Sequence, residues 1–135
     1  MANSVGFHES EERLTPLTRD LHRALTSLQE ELEAIDWYQQ RVDAAHDDEL
    51  REILAHARDE EMEHATMVLE WIRRKSPEFD KVLRERLFAE GSIVEREEVL
   101  EQEHASSNGR PTNGITPRAT VGSLKVPAPV PRETR

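Results

Sequence analysis

Glu61 and His64 are a carboxylate and an imidazole three residues apart, a spacing that places both side chains on one face of a helical turn. They interrupt a stripe of apolar residues that recurs at steps of four and three along residues 47–75, a pattern typical of a helix packed against a partner. The apolar members of this stripe are Leu50, Leu54, Ala57, Val68 and Trp71. A charged group in such a stripe is costly unless it is paired, protonated or bound to a metal, so both residues are candidate metal ligands.

A second stripe of the same kind precedes the first and contains one charged residue, Glu31. Its apolar and aromatic members are Leu17, Leu21, Ala24, Leu28, Ile35, Tyr38 and Val42. Thr15 followed by Pro16 predicts the start of this helix, because threonine caps helices and proline suits the first helical position. Residues 43–48 predict a short turn, so the two helices should pack as an antiparallel hairpin.

The predicted hairpin brings Glu31 opposite Glu61 and His64. If the chain folds back near His46, positions 31 and 61 each lie fifteen residues from the turn. Two carboxylates and one imidazole suit iron, manganese or zinc better than calcium or a soft ion. A ferritin-type di-metal site needs four carboxylates and two histidines, of which one hairpin carries half. A two-fold dimer would supply the rest, and we expect no complete site in the monomer.

A Glu-x-x-His motif alone is a weak signal, because charged helices produce it by chance. The chain carries a second copy at 101–104, which adjoins a linker-like segment and which we interpret as a surface feature. At 61–64 the alternative is a glutamate and a histidine that only hydrogen-bond each other in the core. The core position and the facing Glu31 favour the metal site over this alternative.

Four residues near Glu31 have both an ordinary and a functional interpretation. Trp37 and Tyr38 are most simply packing residues, although Tyr38 lies two turns from Glu31 on the same face and could act beside the metals. Glu30 and Glu33 are ordinarily part of a solvated face. In a dimer they could form an acidic mouth that concentrates cations before these reach the site.

The composition narrows the classes of function. The chain has 135 residues, 36% hydrophobic and 34% charged, so we expect one domain whose core is thin or completed by another chain. No cysteine is present, which excludes disulfides, thiolate metal sites and cysteine nucleophiles. The absence of a long apolar run and of a secretory signal favours a cytoplasmic protein without a membrane partner. Residues 1–104 hold 13 Lys/Arg and 27 Asp/Glu and should repel nucleic acid.

Changes in residue composition along the sequence divide the chain into four segments. Residues 1–13 are polar and predict a flexible N-terminus, and residues 14–104 should form the helical domain. Residues 105–119, rich in Ser, Asn, Gly, Pro and Thr, predict a flexible linker. Residues 120–135 contain the apolar cluster typical of a docking peptide, namely Val121, Leu124 and Val126.

Two shorter helices are predicted between the hairpin and the linker. The first should begin at Ser76 and Pro77, carry Leu87 and Phe88 at helical spacing, and stop at Gly91. The second is acidic and covers residues 92–104. The expected fold class is therefore all-α, a two-helix hairpin with short C-terminal helices that forms a ferritin-like four-helix bundle only on dimerisation.

Two stretches, EELEAIDWYQQRVDA at 30–44 and ILAHARDEEMEHATMVLEWIRR at 53–74, resemble the encapsulated ferritins, which are short ferritin-like ferroxidases packed inside encapsulin nanocompartments. The likeness covers about residues 15–91. It implies a di-iron centre at a dimer interface and a ring-shaped decamer, a pentamer of dimers. The iron ligands implied by the resemblance are Glu31, Glu61 and His64, supplied by both chains.

The resemblance also implies roles for residues around that centre. Trp37 and Tyr38 would flank the iron ions, and Glu30 and Glu33 would form a cation-uptake site for iron or another divalent cation. The segment Thr120–Lys125 (TVGSLK) resembles the cargo-loading peptide that anchors such proteins to the inner wall of an encapsulin shell. The protein would then reside inside a cytoplasmic nanocompartment.

The predicted activity is the oxidation of Fe(II) to Fe(III), with the ferric product stored inside the shell. Two other functions fit the same residues. The chain could be a structural or adaptor helical dimer that is assembled by a metal and catalyses nothing. It could also be a rubrerythrin-like peroxidase, although the lack of cysteine removes the rubredoxin-type iron site of full-length versions.

Overall fold

The computed structural model describes residues 6–109, and within that range the chain is helical and contains no strand. A 3-10 turn at Glu11–Arg13 precedes four α-helices: α1 (Pro16–Ala44), α2 (Asp48–Lys75), α3 (Pro77–Arg86) and α4 (Ile93–Asn108). The predicted all-α fold is confirmed. The predicted docking tail at 120–135 and most of the predicted linker lie outside the described residues.

Side-chain caps determine where the two long helices begin. The Thr15 hydroxyl accepts a hydrogen bond from the Thr18 backbone N–H at 3.1 Å, and Pro16 occupies the first turn of α1. The Asp47 carboxylate accepts from the Leu50 backbone N–H at 2.8 Å and caps α2. Only residues 45–47 separate the helices, so α1 and α2 run antiparallel and form the predicted hairpin.

Few side chains are fully buried in the single chain. Among the described residues, the buried apolar side chains are Ala65, Ile72 and Leu100. Fifteen large hydrophobic residues of the described part of the chain are exposed, several of them on the long helices. The core of the single chain is therefore thin, one of the two outcomes that the composition predicts.

Two exposed apolar patches lie on opposite sides of α2. Ile53 and Met67 are both exposed and lie on the same side of α2 as His64. Ile53 is eleven residues before His64, a rotation of about 20° around the helix, and Met67 is three residues after it, a rotation of about 60°. Met62 lies about 160° away from His64 by the same geometry. We call Ile53 and Met67 the near patch.

The second patch spans both long helices on the other side. Leu25, Leu32 and Gln39 of α1 follow one another at intervals of seven residues, so they lie on the same side of the helix. Gln39 accepts a hydrogen bond from Arg58 of α2 at 2.6 Å, and Met62 lies one turn beyond Arg58. This contact places the three exposed side chains on one side of the hairpin, and we call Leu25, Leu32 and Met62 the far patch.

The short helix α3 ends earlier than its sequence predicts. Ser76 ends α2 and caps α3, since its hydroxyl accepts from the Phe79 backbone N–H at 3.2 Å. Leu87 ends the helix, and Phe88 adopts a left-handed backbone conformation with φ 57° and a fully exposed ring. The predictions that Phe88 continues the helix and that Gly91 caps it are therefore wrong. Helical spacing alone does not distinguish a helix from a chain that turns away at Phe88.

The last described helix extends beyond its predicted end. α4 continues through Asn108, four residues into the segment predicted as linker. The Ser106 and Ser107 hydroxyls each donate at 2.9 Å to backbone carbonyl oxygens three residues earlier, at Glu103 and His104. These bonds satisfy carbonyl groups of the last turn and allow serine residues to remain helical.

No helix among the described residues is both long enough and apolar enough to cross a lipid bilayer.

Candidate metal centre

Glu31, Glu61 and His64 form a cluster between α1 and α2. One potential ligand atom from each of the three side chains lies within 4.8 Å of the others. His64 Nδ1 lies 3.1 Å from Glu61 Oε2, and the Glu31 and Glu61 carboxyl groups share a hydrogen bond. Among the described residues this is the group of acidic and histidine side chains with the geometry to hold a metal ion.

The local sequence explains why these side chains converge. Glu61 and His64 are three residues apart in α2, so they project from the same turn. Glu31 lies near the middle of α1 and at the same distance from the turn as Glu61, so antiparallel packing sets the two carboxylates opposite each other. The short turn at 45–47 holds this alignment.

Hydrogen bonds and nearby charges shift the pKa values of all three side chains. The hydrogen bond with Glu61, together with partial desolvation, raises the pKa of Glu31. The hydrogen bond donated by Glu31, and then that from His64, lowers the pKa of Glu61. The hydrogen bond to Glu61 raises the pKa of His64. Glu61 is therefore the member of the cluster that most readily ionises, and a divalent cation would compete with protons for all three side chains.

The cluster is open on one side in the single chain. The His64 side chain is 53% exposed and the Glu61 side chain 23% exposed, so neither is buried as the stripe pattern predicts for a packed interface. Met67 of the near patch lies one turn from His64 on that open side, and Ile53 lies about three turns away on the same side.

The donor set fits iron. Carboxylate and imidazole ligands bind divalent metals of this class at about 2.0–2.2 Å, so two ligands of one ion lie at most about 4.4 Å apart. The ligand atoms of this cluster, within 4.8 Å of one another, need only a small side-chain movement to reach that separation. One hairpin supplies two carboxylates and one imidazole, half of the ferritin-type set. The alternative of a simple Glu–His hydrogen bond describes part of the geometry, but it leaves the third member, Glu31, without a role.

The two predicted aromatic residues occupy different sides of α1. Tyr38 follows Glu31 by seven residues and lies within about 20° of it around the helix, whereas Trp37 lies about 120° away. Trp37 is half-exposed and lines a shallow open pocket with Gln40, Arg41 and Ala44. The guanidinium carbon of Arg41 lies 5.1 Å from the centre of the Tyr38 ring. Sequence reasoning overlooked Arg41, although its spacing of three from Tyr38 could have indicated this contact.

Glu30 and Glu33 lie outside the three-residue cluster in the part of the chain that the structure describes. Glu30 is exposed and Glu33 half-buried, and helix geometry directs both away from Glu31 by about 100° or more. The charge of Glu30 still helps to raise the pKa of Glu31, after the larger effects of Glu61 and desolvation.

Comparison with known proteins places this arrangement among ferritin-like proteins. A family profile described as EncFtn-like matches residues 6–90. An encapsulated ferritin-like protein of Rhodospirillum rubrum is 46% identical over 137 residues, which covers 98% of this chain and 97% of the relative. A ferritin-like protein of Thermotoga maritima is 53% identical over 92 residues, 68% of this chain and 81% of the relative.

Two further relatives extend the comparison. The encapsulin nanocompartment cargo protein EncC of Myxococcus xanthus is 33% identical over 132 residues, 93% of this chain and 99% of the relative. The crystal structure of protein ne0167 from Nitrosomonas europaea has a TM-score of 0.63 and 57% sequence identity, and the match covers 66% of this chain and 98% of that one. The helical fold therefore has a solved counterpart.

Proposed function

Because the chain belongs to the EncFtn-like family, we propose that it oxidises Fe(II) to Fe(III) at a di-iron site formed between two copies of the hairpin. The observation that carries this proposal is the convergence of Glu31, Glu61 and His64 on one open side of the molecule. Fe(II) is the substrate. With dioxygen as acceptor, two Fe(II) ions give up two electrons, and two protons complete one hydrogen peroxide.

Ligand number supports a dimeric site. Two copies of the cluster supply four carboxylates and two imidazoles, the set that ferritin-like helical proteins use for two metal ions. A two-fold axis beside His64 would bring the two clusters together and cover the near patch of each copy. Each iron site would then lack half of its ligands in the monomer.

Each ligand has a separate task in this proposal. The carboxylates of Glu31 and Glu61 are hard anionic donors that favour the ferric over the ferrous ion. His64 adds a neutral nitrogen donor and directs the site toward a transition metal rather than calcium. Tyr38 lies two turns from Glu31 on the same face of α1 and would protect the site from stray one-electron oxidation. Trp37 would flank the site from the partner chain or play no part in catalysis.

The acidic residues outside the cluster would collect the substrate. Glu30 and Glu33 belong to a chain with a formal net charge of −10, and their carboxylates would attract Fe(II) or another divalent cation toward the dimer. They would serve uptake rather than oxidation, because their side chains project away from Glu31.

The far patch would extend the assembly beyond a dimer. A two-fold contact through the near patch leaves Leu25, Leu32 and Met62 exposed on the other side of the hairpin. A second type of contact would cover them, and repetition of two contact types closes a ring when the rotation between copies permits it. A decamer built as a pentamer of dimers is the assembly that we propose.

The shell would provide the storage volume. The relative from Myxococcus xanthus is an encapsulin nanocompartment cargo protein, and we propose that Thr120–Lys125 docks this chain on the inner wall of such a shell. A dimer of hairpins has no internal space for mineral. The ferric product would therefore leave the site and accumulate in the cytoplasmic nanocompartment.

The oxidation test compares matched histidine and glutamate variants. Anaerobic Fe(II) is added to purified protein, air is admitted, and ferric absorbance and oxygen uptake are followed for the wild type, Glu61→Gln and His64→Ala. We expect rapid oxidation by the wild type and a rate near that of protein-free buffer in both variants. The controls are Glu60→Gln and His56→Ala, a Glu–His pair of the same helix with 3.3 Å between Glu60 Oε1 and His56 Nε2.

Three results would refute the ferroxidase. Equal rates in all five proteins would mean that background autoxidation explains the signal. Metal-dependent dimerisation without oxygen consumption would favour the structural or adaptor protein, and consumption of peroxide without oxygen uptake would favour the peroxidase. Native mass spectrometry of each sample separates loss of chemistry from loss of assembly.

A separate test addresses the shell. Deletion of residues 120–135 should leave the oxidation rate unchanged and abolish co-purification with a co-expressed encapsulin shell. Retention of the truncated chain inside the shell would refute the docking role of this segment.

A further inference from the structure

The half of the hairpin between the cluster and the turn contains no fully buried side chain. No side chain of α1 is fully buried, and the buried residues of α2, Ala65 and Ile72, both lie beyond the cluster as seen from the turn. Half-buried apolar side chains such as Ile35 and Leu54 pack in the turn-side half instead. They restrain sliding of one helix along the other less than an enclosed core does.

One side-chain hydrogen bond joins the two helices in this half. Arg58 Nη1 of α2 donates to Gln39 Oε1 of α1 at 2.6 Å, and both side chains are partly buried. Elsewhere along the described lengths of α1 and α2, the side-chain hydrogen bond between the helices is the one that Glu31 and Glu61 share. The Arg58–Gln39 contact is therefore the polar link nearest to the cluster on its turn side.

Two aspartates hold the partners of this contact in place. Gln39 Nε2 donates to Asp43 Oδ1 at 2.9 Å, which directs the amide oxygen toward Arg58. Arg58 Nε and Nη2 donate to Asp59 Oδ1 at 2.9 and 2.6 Å. An isolated surface contact between long side chains contributes little, whereas these four residues form a connected chain in which both central side chains are oriented.

The Arg58–Gln39 bond runs diagonally between the helices. With Glu31 opposite Glu61 in an antiparallel pair, Arg58 lies opposite Ala34, and Gln39 is five residues, about 7.5 Å, nearer to the turn. Helical side chains lean toward the N-terminus of their own helix, so Arg58 leans toward the turn and Gln39 away from it. A diagonal bond changes length when one helix slides along the other, so this bond resists sliding.

These observations assign a role to the two residues. We propose that Arg58 and Gln39 are positioning residues that align α1 with α2 and thereby hold Glu31 and Glu61 at the separation that a metal ion needs. Arg58 acts through alignment rather than charge, since the pKa of Glu61 is shifted by Glu31, His64 and desolvation. The effect on metal binding rests on the proposed function, whereas the alignment of the helices does not.

The alignment can be measured without a metal because the chain contains no cysteine. Glu31→Cys and Glu61→Cys together introduce two thiols into the full-length chain, and dibromobimane becomes fluorescent when it bridges two neighbouring thiols. The rate of bridging is compared with and without Arg58→Met or Gln39→Leu. Denaturing gel electrophoresis separates bridging within one chain from bridging between two chains. We expect the rate within one chain to fall about tenfold in both variants, because bridging depends steeply on the position of the second thiol.

Co(II) tests the consequence for the metal site in the full-length chain with Glu31 and Glu61 intact. Its visible absorption bands report the coordination geometry, which a general loss of stability would not change at saturation. Arg58→Met and Gln39→Leu should bind Co(II) about tenfold more weakly than the wild type and shift these bands. Arg58→Lys retains a hydrogen-bond donor and should recover part of the affinity. The double variant should bind no more weakly than either single variant, because each one breaks the same bond.

The matched control is Arg23→Met. Arg23 pairs with Asp20 within α1 at 2.6 Å, so its loss should leave both bridging and Co(II) binding as in the wild type. Circular dichroism and analytical ultracentrifugation check that each variant keeps its helices and its oligomeric state.

The two measurements separate this proposal from the proposed function. Bridging that is unchanged in Arg58→Met, or that does not occur in the chain with Arg58 intact, would overturn the positioning role whatever the Co(II) affinity. Slower bridging with unchanged Co(II) affinity would overturn its link to the metal site. A wild type that binds no Co(II), while bridging still depends on Arg58, would refute the proposed metal site and support the alignment.

Discussion

Glu61 is the central carboxylate of the cluster, and both of its neighbours shift its pKa. Hydrogen bonding to Glu61 raises the pKa of Glu31 and the pKa of His64, while these same bonds lower the pKa of Glu61. A metal ion requires Glu31 as carboxylate and His64 as neutral imidazole. Metal ions and protons therefore compete for these two residues.

The pH dependence of metal binding follows from these shifts. Because the pKa values of Glu31 and His64 are raised, protons compete with the metal up to a higher pH than ordinary groups would allow. We expect the affinity for a redox-inert probe such as Zn(II) to fall as the pH is lowered from about 8 to 6, within the histidine range, with proton release on binding. Isothermal titration calorimetry in buffers of different ionisation enthalpy measures both quantities.

Two variants separate the contributions to that dependence. His64→Ala should bind Zn(II) at least about tenfold more weakly than the wild type, because it lacks one coordinating group. It should also release fewer protons, whereas His56→Ala should match the wild type. An affinity that does not vary with pH in the wild type would contradict this competition between the metal and protons.

At the scale of the helices, α2 depends on one fully buried side chain. Ile72 is 1% exposed, so Ile72→Ala should lower the free energy of unfolding by about 2–5 kcal/mol through lost burial and a residual cavity. The control, Val94→Ala, truncates an exposed residue and should change stability by about 0.5 kcal/mol or less. Urea unfolding at a fixed protein concentration measures both, since an assembled protein has concentration-dependent stability.

Arg73 connects α2 with α3. Its guanidinium donates hydrogen bonds of 2.6 and 2.8 Å to the Glu70 carboxylate within α2 and another to the Asp80 carboxylate of α3. Hydrogen bonds from Arg73 and Arg74 lower the pKa of Glu70 to about 2, and those from Arg84 and Arg73 lower the pKa of Asp80. A lowered folded-state pKa stabilises the fold fully above the ordinary value, 4.5 for Glu70, and this stabilisation disappears as the pH falls toward about 2.

Acid unfolding tests this connection. Arg73→Met should lower the melting temperature at pH 7, and the difference from the wild type should shrink as the pH falls from about 4.5 to 2, because the wild type loses the same ion pairs. Circular dichroism melts over this range measure the effect. Arg74→Met should have the smaller effect at pH 7, because Arg74 pairs with Glu70 within α2. A difference that stays constant with pH would contradict this account.

At the scale of the whole molecule, the two apolar patches should have separable roles. Met67 is 68% exposed beside His64, and Met67→Asp would place a carboxylate in the proposed two-fold interface. A buried unpaired charge costs about 3 kcal/mol or more, so the dimer should weaken about 100-fold and oxidation should fall with it. Analytical ultracentrifugation and the oxidation assay measure the two effects.

Leu32→Asp is the matched variant on the far patch. It should prevent assembly beyond the dimer while the dimer keeps its oxidation rate, because Leu32 lies away from the cluster. A Leu32→Asp protein that is monomeric and inactive would mean that the two patches belong to a single interface.

Local rules were sufficient for the hairpin and for the cluster. Thr15, Pro16 and Asp47 carry the capping chemistry that starts the long helices, and the structure uses each of them. The apolar stripes with steps of three and four residues, joined by a short turn, predict that Glu31 lies opposite Glu61. Such features follow from sequence because capping, helical periodicity and antiparallel return act over a few neighbouring residues.

Only the tertiary structure determines where α3 ends, how α4 contacts it, and how exposed the Glu31–Glu61–His64 cluster is. Helical spacing predicted that Phe88 continues α3 and that His104 belongs to a surface motif, but Phe88 turns the chain and His104 contacts Glu85, nineteen residues earlier. A short helix with one buried leucine is positioned by a few long-range contacts, which no local pattern encodes. The open side of the cluster likewise depends on which surfaces the single hairpin leaves uncovered, and this is decided only when the two helices pack.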